Sequence, residues 1–178
     1  MRQNLWNYLL TVIVSATMGA AVTWLIMAQR STSNVRPVST TPPTAMTSVP
    51  DVSTMSPGEA AVVRGNFAYD HQQWPEAIRY YQEAIANGID NADVRTDLGN
   101  ALRFSGQPQL ALEQYTIAQK LNPQHENSLF NQISLFTEAL NQPARSISIG
   151  EEFMRRFPSS DKLPAVQQQL ERAKGMTR

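Results

Sequence analysis

Two histidines, His71 and His125, are the first candidates for chemistry in this chain of 178 residues. Imidazole binds metal ions and moves protons near neutral pH. Neither histidine has a second ligand at helical or turn spacing, so we expect both to lie on the surface instead of in a metal site. The adjacent carboxylates Glu151 and Glu152 point in different directions on a helix, which is typical of a solvated face.

Other catalytic signatures are missing from the sequence. It contains no cysteine, which excludes disulfides, thiolate chemistry and cysteine metal sites. No glycine-rich phosphate loop, nucleophile elbow or histidine-centred triad can be found. Fifteen Lys and Arg balance fifteen Asp and Glu, and beyond residue 55 the two signs are interspersed, so no face is built for nucleic acid. We therefore predict a binding protein, not an enzyme, that needs no cofactor.

The elements that position its residues follow from a period of 34. A shift of that length superposes six residues on six identical ones: Gly65, Asn66, Gln73, Ala77, Tyr81 and Ala84 on Gly99, Asn100, Gln107, Ala111, Tyr115 and Ala118. A fixed period of this length is typical of helical hairpins that bury their apolar faces only against one another. The pattern predicts an all-α solenoid.

These positions resemble the tetratricopeptide repeat (TPR), whose unit is a pair of antiparallel helices. The resemblance rests on the run GNFAYDHQQWPEAIRYYQEAI in the first unit and on its counterparts in the second. It implies a TPR domain over residues 56–178, with repeats near 58–91, 92–125 and 126–158 and a capping helix near 161–174. It also implies structural packing roles for Gly65, Ala77, Tyr81, Ala84, Gly99, Ala111, Tyr115, Ala118 and Pro123.

Local signals agree with this register. The run from Ser56 to Glu59 is a capping box, which predicts that the first helix begins there. Pro75, Pro108 and Pro143 are expected to open the second helix of each hairpin, where a missing amide hydrogen costs nothing. Within a hairpin we expect the glycine of the first helix to face the first alanine of the second.

The third unit departs from the pattern. Ile133 replaces the glycine, Leu140 the turn glycine, and Arg145 occupies the alanine position, although the phase is open by about one residue. Apolar residues still recur at helical spacing, so we predict a degenerate final hairpin.

The resemblance also implies a groove lined by the first helix of each unit. The candidate groove residues are Asn66, Tyr69, Asp70, Asp97, Asn100, Arg103, Phe104, Phe130 and Asn131. The three asparagine amides can donate to and accept from a peptide backbone, and the aromatic rings supply apolar contacts. The alternative is an exposed polar helix face that has no partner.

Charge restricts what this groove accepts. Some members of the family grip a C-terminal carboxylate with lysines and arginines, but here the matching positions hold Val62, Asp97, Asn127 and Asn131. The clamp is therefore missing. The predicted groove has five carboxylates and one cation, Arg103. The predicted partner is therefore a protein or peptide segment that is basic or neutral.

The first 30 residues predict a single transmembrane anchor. The apolar run from Leu5 to Met27 covers roughly 34 Å as a helix, enough to span a bilayer. Trp6 and Trp24 suit its two interfaces. A signal peptide cleaved near Gly19 is the alternative. Residues 31–55, rich in Ser, Thr and Pro, are expected to form a disordered linker.

Together these features predict a TPR adaptor or scaffold tethered to the inner membrane by one helix, with its repeats on the periplasmic side. The run DVRTDLGNALRFSGQPQLALEQYTIAQKLNP resembles bacterial envelope repeat proteins, including those that serve cytochrome c maturation and outer-membrane assembly. One alternative is a structural homo-oligomer, formed by stacked repeats and self-associating membrane helices. Another is an accessory subunit of an enzyme complex.

Overall fold

The computed structural model describes residues 50–177, and all regular structure within that range is helical. The predicted membrane helix of residues 1–30 and most of the predicted linker lie outside the described residues. No helix between residues 50 and 177 is long and apolar enough to cross a membrane. Residues 50–177 form seven α-helices: α1 (Pro57–Asp70), α2 (Trp74–Ala86), α3 (Ala92–Phe104), α4 (Pro108–Leu121), α5 (Glu126–Ser134), α6 (Pro143–Arg156) and α7 (Leu163–Met176). Helix α5 continues into a π-helix, Leu135–Ala139.

Helix starts follow the local signals in the sequence. The hydroxyl of Ser56 accepts from the backbone N–H of Glu59, and the carboxylate of Glu59 accepts from the backbone N–H of Ser56 at 3.0 Å. This confirms the predicted capping box, a device that stabilises a helix by about 1 kcal/mol. Pro75, Pro108 and Pro143 lie at the first or second position of the second helices, as predicted.

Each of the first two hairpins closes on a glycine–tyrosine contact. A Cβ atom at Gly65 would lie 2.7 Å from the ring of Tyr81, and one at Gly99 would lie 2.5 Å from the ring of Tyr115. In both hairpins the atoms nearest to such a Cβ belong to the tyrosine ring and not to the first alanine of the second helix. Glycine is needed here since any side chain would displace an aromatic ring that is itself buried.

The core divides into two apolar clusters. One joins the first two hairpins and contains the buried alanines Ala77, Ala84 and Ala111 together with both tyrosines. The other joins α5, α6 and α7 through Leu129, Ile133, Phe153, Phe157, Val166 and Leu170. Leu170 from α7 fills the space over Gly150, where a Cβ atom would meet it at 2.5 Å. Helix α7 thus covers the end of the third hairpin.

The π-helix shifts the third hairpin by one residue. The backbone N–H groups of Gln73 and Gln107 donate to carbonyls five residues back, whereas that of Gln142 reaches Phe136, six residues back, at 2.7 Å. An extra residue therefore lies between Phe136 and Gln142.

Two assignments in the third unit change as a result. The left-handed turn residue is Asn141 (φ 50°), not Leu140, following Gln72 (φ 58°) and Gly106 (φ 80°) in the earlier hairpins. Ser146, not Arg145, takes the buried alanine position, and Arg145 is exposed. Both predictions failed because a period of 34 cannot reveal one inserted residue.

Candidate functional site

A cleft of about 660 Å³ lies between α1 and α3. The segment before α1 contributes Thr54 and Met55 to its lining. Its other lining residues are Glu59, Val62, Val63, Asn66, Ile89, Asn91, Asp93, Val94 and Asp97. The cleft brings together Asn66 and Asp97, two of the predicted groove residues. It has an apolar wall of valines and an isoleucine and carries three carboxylates, and no lysine or arginine of residues 50–177 lines it.

The three carboxylates differ in what they contact. Glu59 is held by the capping hydrogen bonds to Ser56, and Asp93 lies 3.0 Å from Nε2 of His125. Within residues 50–177, Asp97 has no hydrogen-bond or ion-pair partner, although it is partly buried. The pKa of Asp97 is raised to about 6, chiefly by burial and also by the charge of Asp93, while His125 opposes the shift. Asp97 is therefore the carboxylate that a cationic ligand group can pair with.

The amide oxygens of Asn66 and Asn100 accept hydrogen bonds from within the domain, while their Nδ2 groups do not donate to any other residue between 50 and 177. The hydroxyl of Tyr81 donates to Oδ1 of Asn66 at 2.9 Å, and the hydroxyl of Tyr115 donates to Oδ1 of Asn100 at 2.7 Å. Burial raises the pKa of both tyrosines, which keeps their hydroxyls protonated. Nδ2 of Asn131 also donates to Oδ1 of Asn100, at 2.9 Å. The Nδ2 groups of Asn66 and Asn100 thus remain available to donate to carbonyl groups.

An aromatic patch lies at the end of α1 and α3. The ring centroids of Tyr69 and Trp74 are 5.3 Å apart, and Trp74 stacks on Phe104 at 5.1 Å. Phe104 remains 51% exposed. Trp74 was not among the predicted groove residues, because it belongs to the second helix of its hairpin. Its place directly before Pro75 was the available signal, since a residue that opens the second helix lies beside the end of the first.

The remaining predicted residues lie elsewhere on this face or away from it. Nη2 of Arg103 pairs with Glu138 at 2.5 Å, so its charge is neutralised, and Glu138 also binds Arg172 at 3.1 Å. Asp70 is exposed at the end of α1 and does not line the cleft. Phe130 packs against Phe153 beside the second core cluster, with ring centroids 6.2 Å apart. The turn residue Pro123 is exposed, and its carbonyl accepts from Arg156.

The histidines have different environments. His71 is exposed, as expected. The expectation for His125 was wrong, since its side chain is only 11% exposed. It caps α5 by accepting from the backbone N–H of Ser128 at 3.3 Å and contacts Asp93 of α3. The local sequence around His125 does not indicate this contact, because Asp93 lies 32 residues earlier in the chain. Between residues 50 and 177, no three His, Asp or Glu side chains are grouped to hold a metal ion.

No protein-family model and no curated protein matches this sequence. Solved structures do match in fold. The TPR2B domain of yeast Sti1, in complex with pHsp70, superposes with a TM-score of 0.63 at 16% identity, over 68% of this chain and 98% of that one. The fold is that of a TPR domain. The Arabidopsis OM64 TPR domain gives a TM-score of 0.59 at 19% identity, over 66% and 94% of the two chains.

A third similar structure contains a defined peptide. The second TPR domain of human RPAP3, in complex with the HSP70 peptide SGPTIEEVD, gives a TM-score of 0.56 at 16% identity. It covers 66% of this chain and 98% of that one. The superpositions establish a shared TPR fold. At identities this low they do not indicate which ligand the cleft binds.

Proposed function

We propose that the TPR domain binds an extended segment of a partner protein, basic or neutral in charge, in the cleft between α1 and α3. The observation that carries this proposal is the lining of the cleft, to which the described part of the chain contributes three carboxylates, one of them the unpaired Asp97, and no lysine or arginine. Charged surfaces select partners of opposite sign chiefly by repelling the wrong ones.

The amides of Asn66 and Asn100 support a peptide as the ligand. They occupy the same position in consecutive repeats, and a tyrosine hydroxyl orients each of them. A peptide in extended conformation presents backbone carbonyls that such donors satisfy without regard to sequence. The amides therefore account for affinity, while the carboxylates account for the choice of partner.

The charge of this cleft does not suit the acidic peptide that is in complex with the RPAP3 domain, which has the same fold. The RPAP3 domain is in complex with SGPTIEEVD, a peptide with three acidic side chains. Such a peptide would place its carboxylates near Glu59, Asp93 and Asp97 here and be repelled. We therefore expect a ligand of different chemistry on the same scaffold.

We further propose that the domain acts as a membrane-tethered adaptor in a bacterial cell-envelope assembly, such as cytochrome c maturation or outer-membrane biogenesis. The apolar run before residue 28 supports an inner-membrane anchor with the repeats in the periplasm. A flexible linker of about 25 residues has a coil span of roughly 25 to 30 Å. The cleft would then sample partners within a thin layer beside the membrane.

Site-specific photo-crosslinking in cells tests this function. A photoreactive residue at Asn66 of the full-length protein should capture a defined partner, and one at the exposed Gln82 of α2 should not. The double variant Asn66→Ala/Asn100→Ala should lose that partner in affinity purification while circular dichroism shows an intact helical fold. Equal capture from both positions, or a partner set unchanged in the double variant, would refute binding in the cleft.

A further inference from the structure

We infer that the bound segment carries two anchors: an arginine or lysine that pairs with Asp97 and, about three residues away, a large apolar side chain that packs on Trp74 and Phe104. This inference deepens the proposed function and rests on it. It names which ligand residues the cleft selects and how far apart they stand.

The first anchor follows from the walls around Asp97. Val62 and Val63 of α1 line the cleft opposite Val94 of α3, and none of the described lining residues is a lysine or an arginine. Arginine and lysine have long apolar stems that pack on such walls while the charged group reaches a carboxylate. Glu59 and Asp93 already have partners, so Asp97 is the carboxylate left for that charge.

The second anchor follows from the exposed aromatic patch. Phe104 is half exposed although its ring stacks on Trp74, so one side of the patch remains open to solvent. The guanidinium group of Arg103 lies 5.5 Å from the centre of the Phe104 ring and is paired with Glu138. A second cation from the ligand gains little there, whereas a large apolar side chain gains buried area.

The separation of the anchors follows from helix geometry. Asp97 and Phe104 are seven residues apart on α3, two turns, and so lie on one stripe about 10.5 Å apart. An extended chain advances about 3.3 Å per residue, so roughly three residues span that distance. Asn100 lies between them on the same stripe, where its amide can donate to a backbone carbonyl of the ligand.

A peptide series tests the two-anchor ligand on the full-length protein in detergent. Each labelled 12-residue peptide carries one arginine and one phenylalanine in a Ser/Gln background, three or seven residues apart, in both orders. Fluorescence anisotropy should show about tenfold tighter binding for one order of the three-residue spacing than for either seven-residue peptide. Binding that does not depend on spacing would overturn the inference yet leave the proposed function standing.

Two variants assign the anchors. Asp97→Asn should abolish the preference for arginine over glutamine at the first position while retaining the preference for phenylalanine. Phe104→Ala should do the reverse, and circular dichroism should report an intact fold for both. If both variants lose both preferences equally, the anchors are not separate and the inference fails. If no peptide binds and crosslinking at Asn66 captures nothing, the proposed function fails as well.

Discussion

The hydroxyl of Tyr115 donates to the side-chain oxygen of Asn100 at 2.7 Å, and Tyr81 donates to Asn66 at 2.9 Å in the same way one repeat earlier. Each tyrosine therefore has two roles. Its ring fills the space that the glycine of the first helix leaves open, and its hydroxyl fixes the orientation of an amide on the face that lines the cleft. Packing within a hairpin and the orientation of an amide that we propose to bind peptide are thus linked through one side chain.

Removing one hydroxyl tests that link. Tyr115→Phe leaves the ring in place and deletes the hydrogen bond, so the free energy of unfolding should fall by about 1 kcal/mol in urea denaturation. The amide of Asn100 then loses one of two groups that orient it, and peptide affinity should fall severalfold. Tyr80→Phe is a suitable control, because Tyr80 also lies on the second helix of a hairpin. Its hydroxyl forms no hydrogen bond with other described residues. An affinity loss equal in both variants would contradict this role.

The glycine–tyrosine contact predicts a second effect. Gly99→Ala places a methyl group 2.5 Å from the ring of Tyr115, which cannot move without breaking its bond to Asn100. We expect the free energy of unfolding to fall by about 1–3 kcal/mol. Gly175→Ala is the matched control, since a Cβ atom there meets nothing within 4 Å and alanine favours a helix. Thermal denaturation that ranks Gly175→Ala below Gly99→Ala would contradict this prediction.

The register of the third hairpin predicts unequal effects at two adjacent residues. Ser146 is fully buried and donates to the carbonyl of Ile133 at 2.9 Å, while Thr137 donates to Ser146 at 2.7 Å. Ser146→Val should lower the free energy of unfolding by about 2 kcal/mol or more, because it leaves Thr137 without that acceptor and adds volume. Arg145→Ala, at an exposed site, should cost less than about 1 kcal/mol. The opposite order in urea denaturation would restore the register expected from the 34-residue period.

The fold could be predicted from the sequence wherever the period held. The glycine and tyrosine of a hairpin recur together because they share one contact, so the first two hairpins were recognisable from Gly65, Tyr81 and their counterparts. The π-helix of Leu135–Ala139 had no such signal. Its extra residue is accommodated by backbone hydrogen bonds that all residue types can form, so only the structure places Ser146 in the alanine position.

The site could be predicted less fully. Asn66 and Asp97 were recognisable because their repeat positions place them on first helices that face one another. Three features depended on contacts between elements and were missed: the use of the asparagine oxygens by tyrosine, the aromatic patch with Trp74, and the burial of His125 against Asp93. The position of a residue in the repeat indicates which face of the helix it occupies. It does not indicate which neighbouring residue forms a hydrogen bond or packs with it.

The raised pKa of Asp97 predicts how stability changes with pH. Its pKa moves from the ordinary 3.8 to about 6 in the folded chain, so the folded state binds the proton more tightly than the unfolded state does. The stability contributed by Asp97 is therefore present below pH 4 and is lost as the pH rises to about 6. Asp97→Asn, which carries no charge, should raise the free energy of unfolding at pH 7.5 by about 1–2 kcal/mol after allowance for solvent screening.

The difference between Asp97→Asn and the parent protein should shrink as the pH falls from 7 to 4, since protonated Asp97 is also neutral. Urea denaturation at closely spaced pH values measures it. Asp161→Asn removes the same charge from a side chain that is 91% exposed and controls for net charge. If Asp97→Asn raised the free energy of unfolding equally at every pH, burial of the charge would not be the cause. Only an ionised carboxylate is destabilised by desolvation.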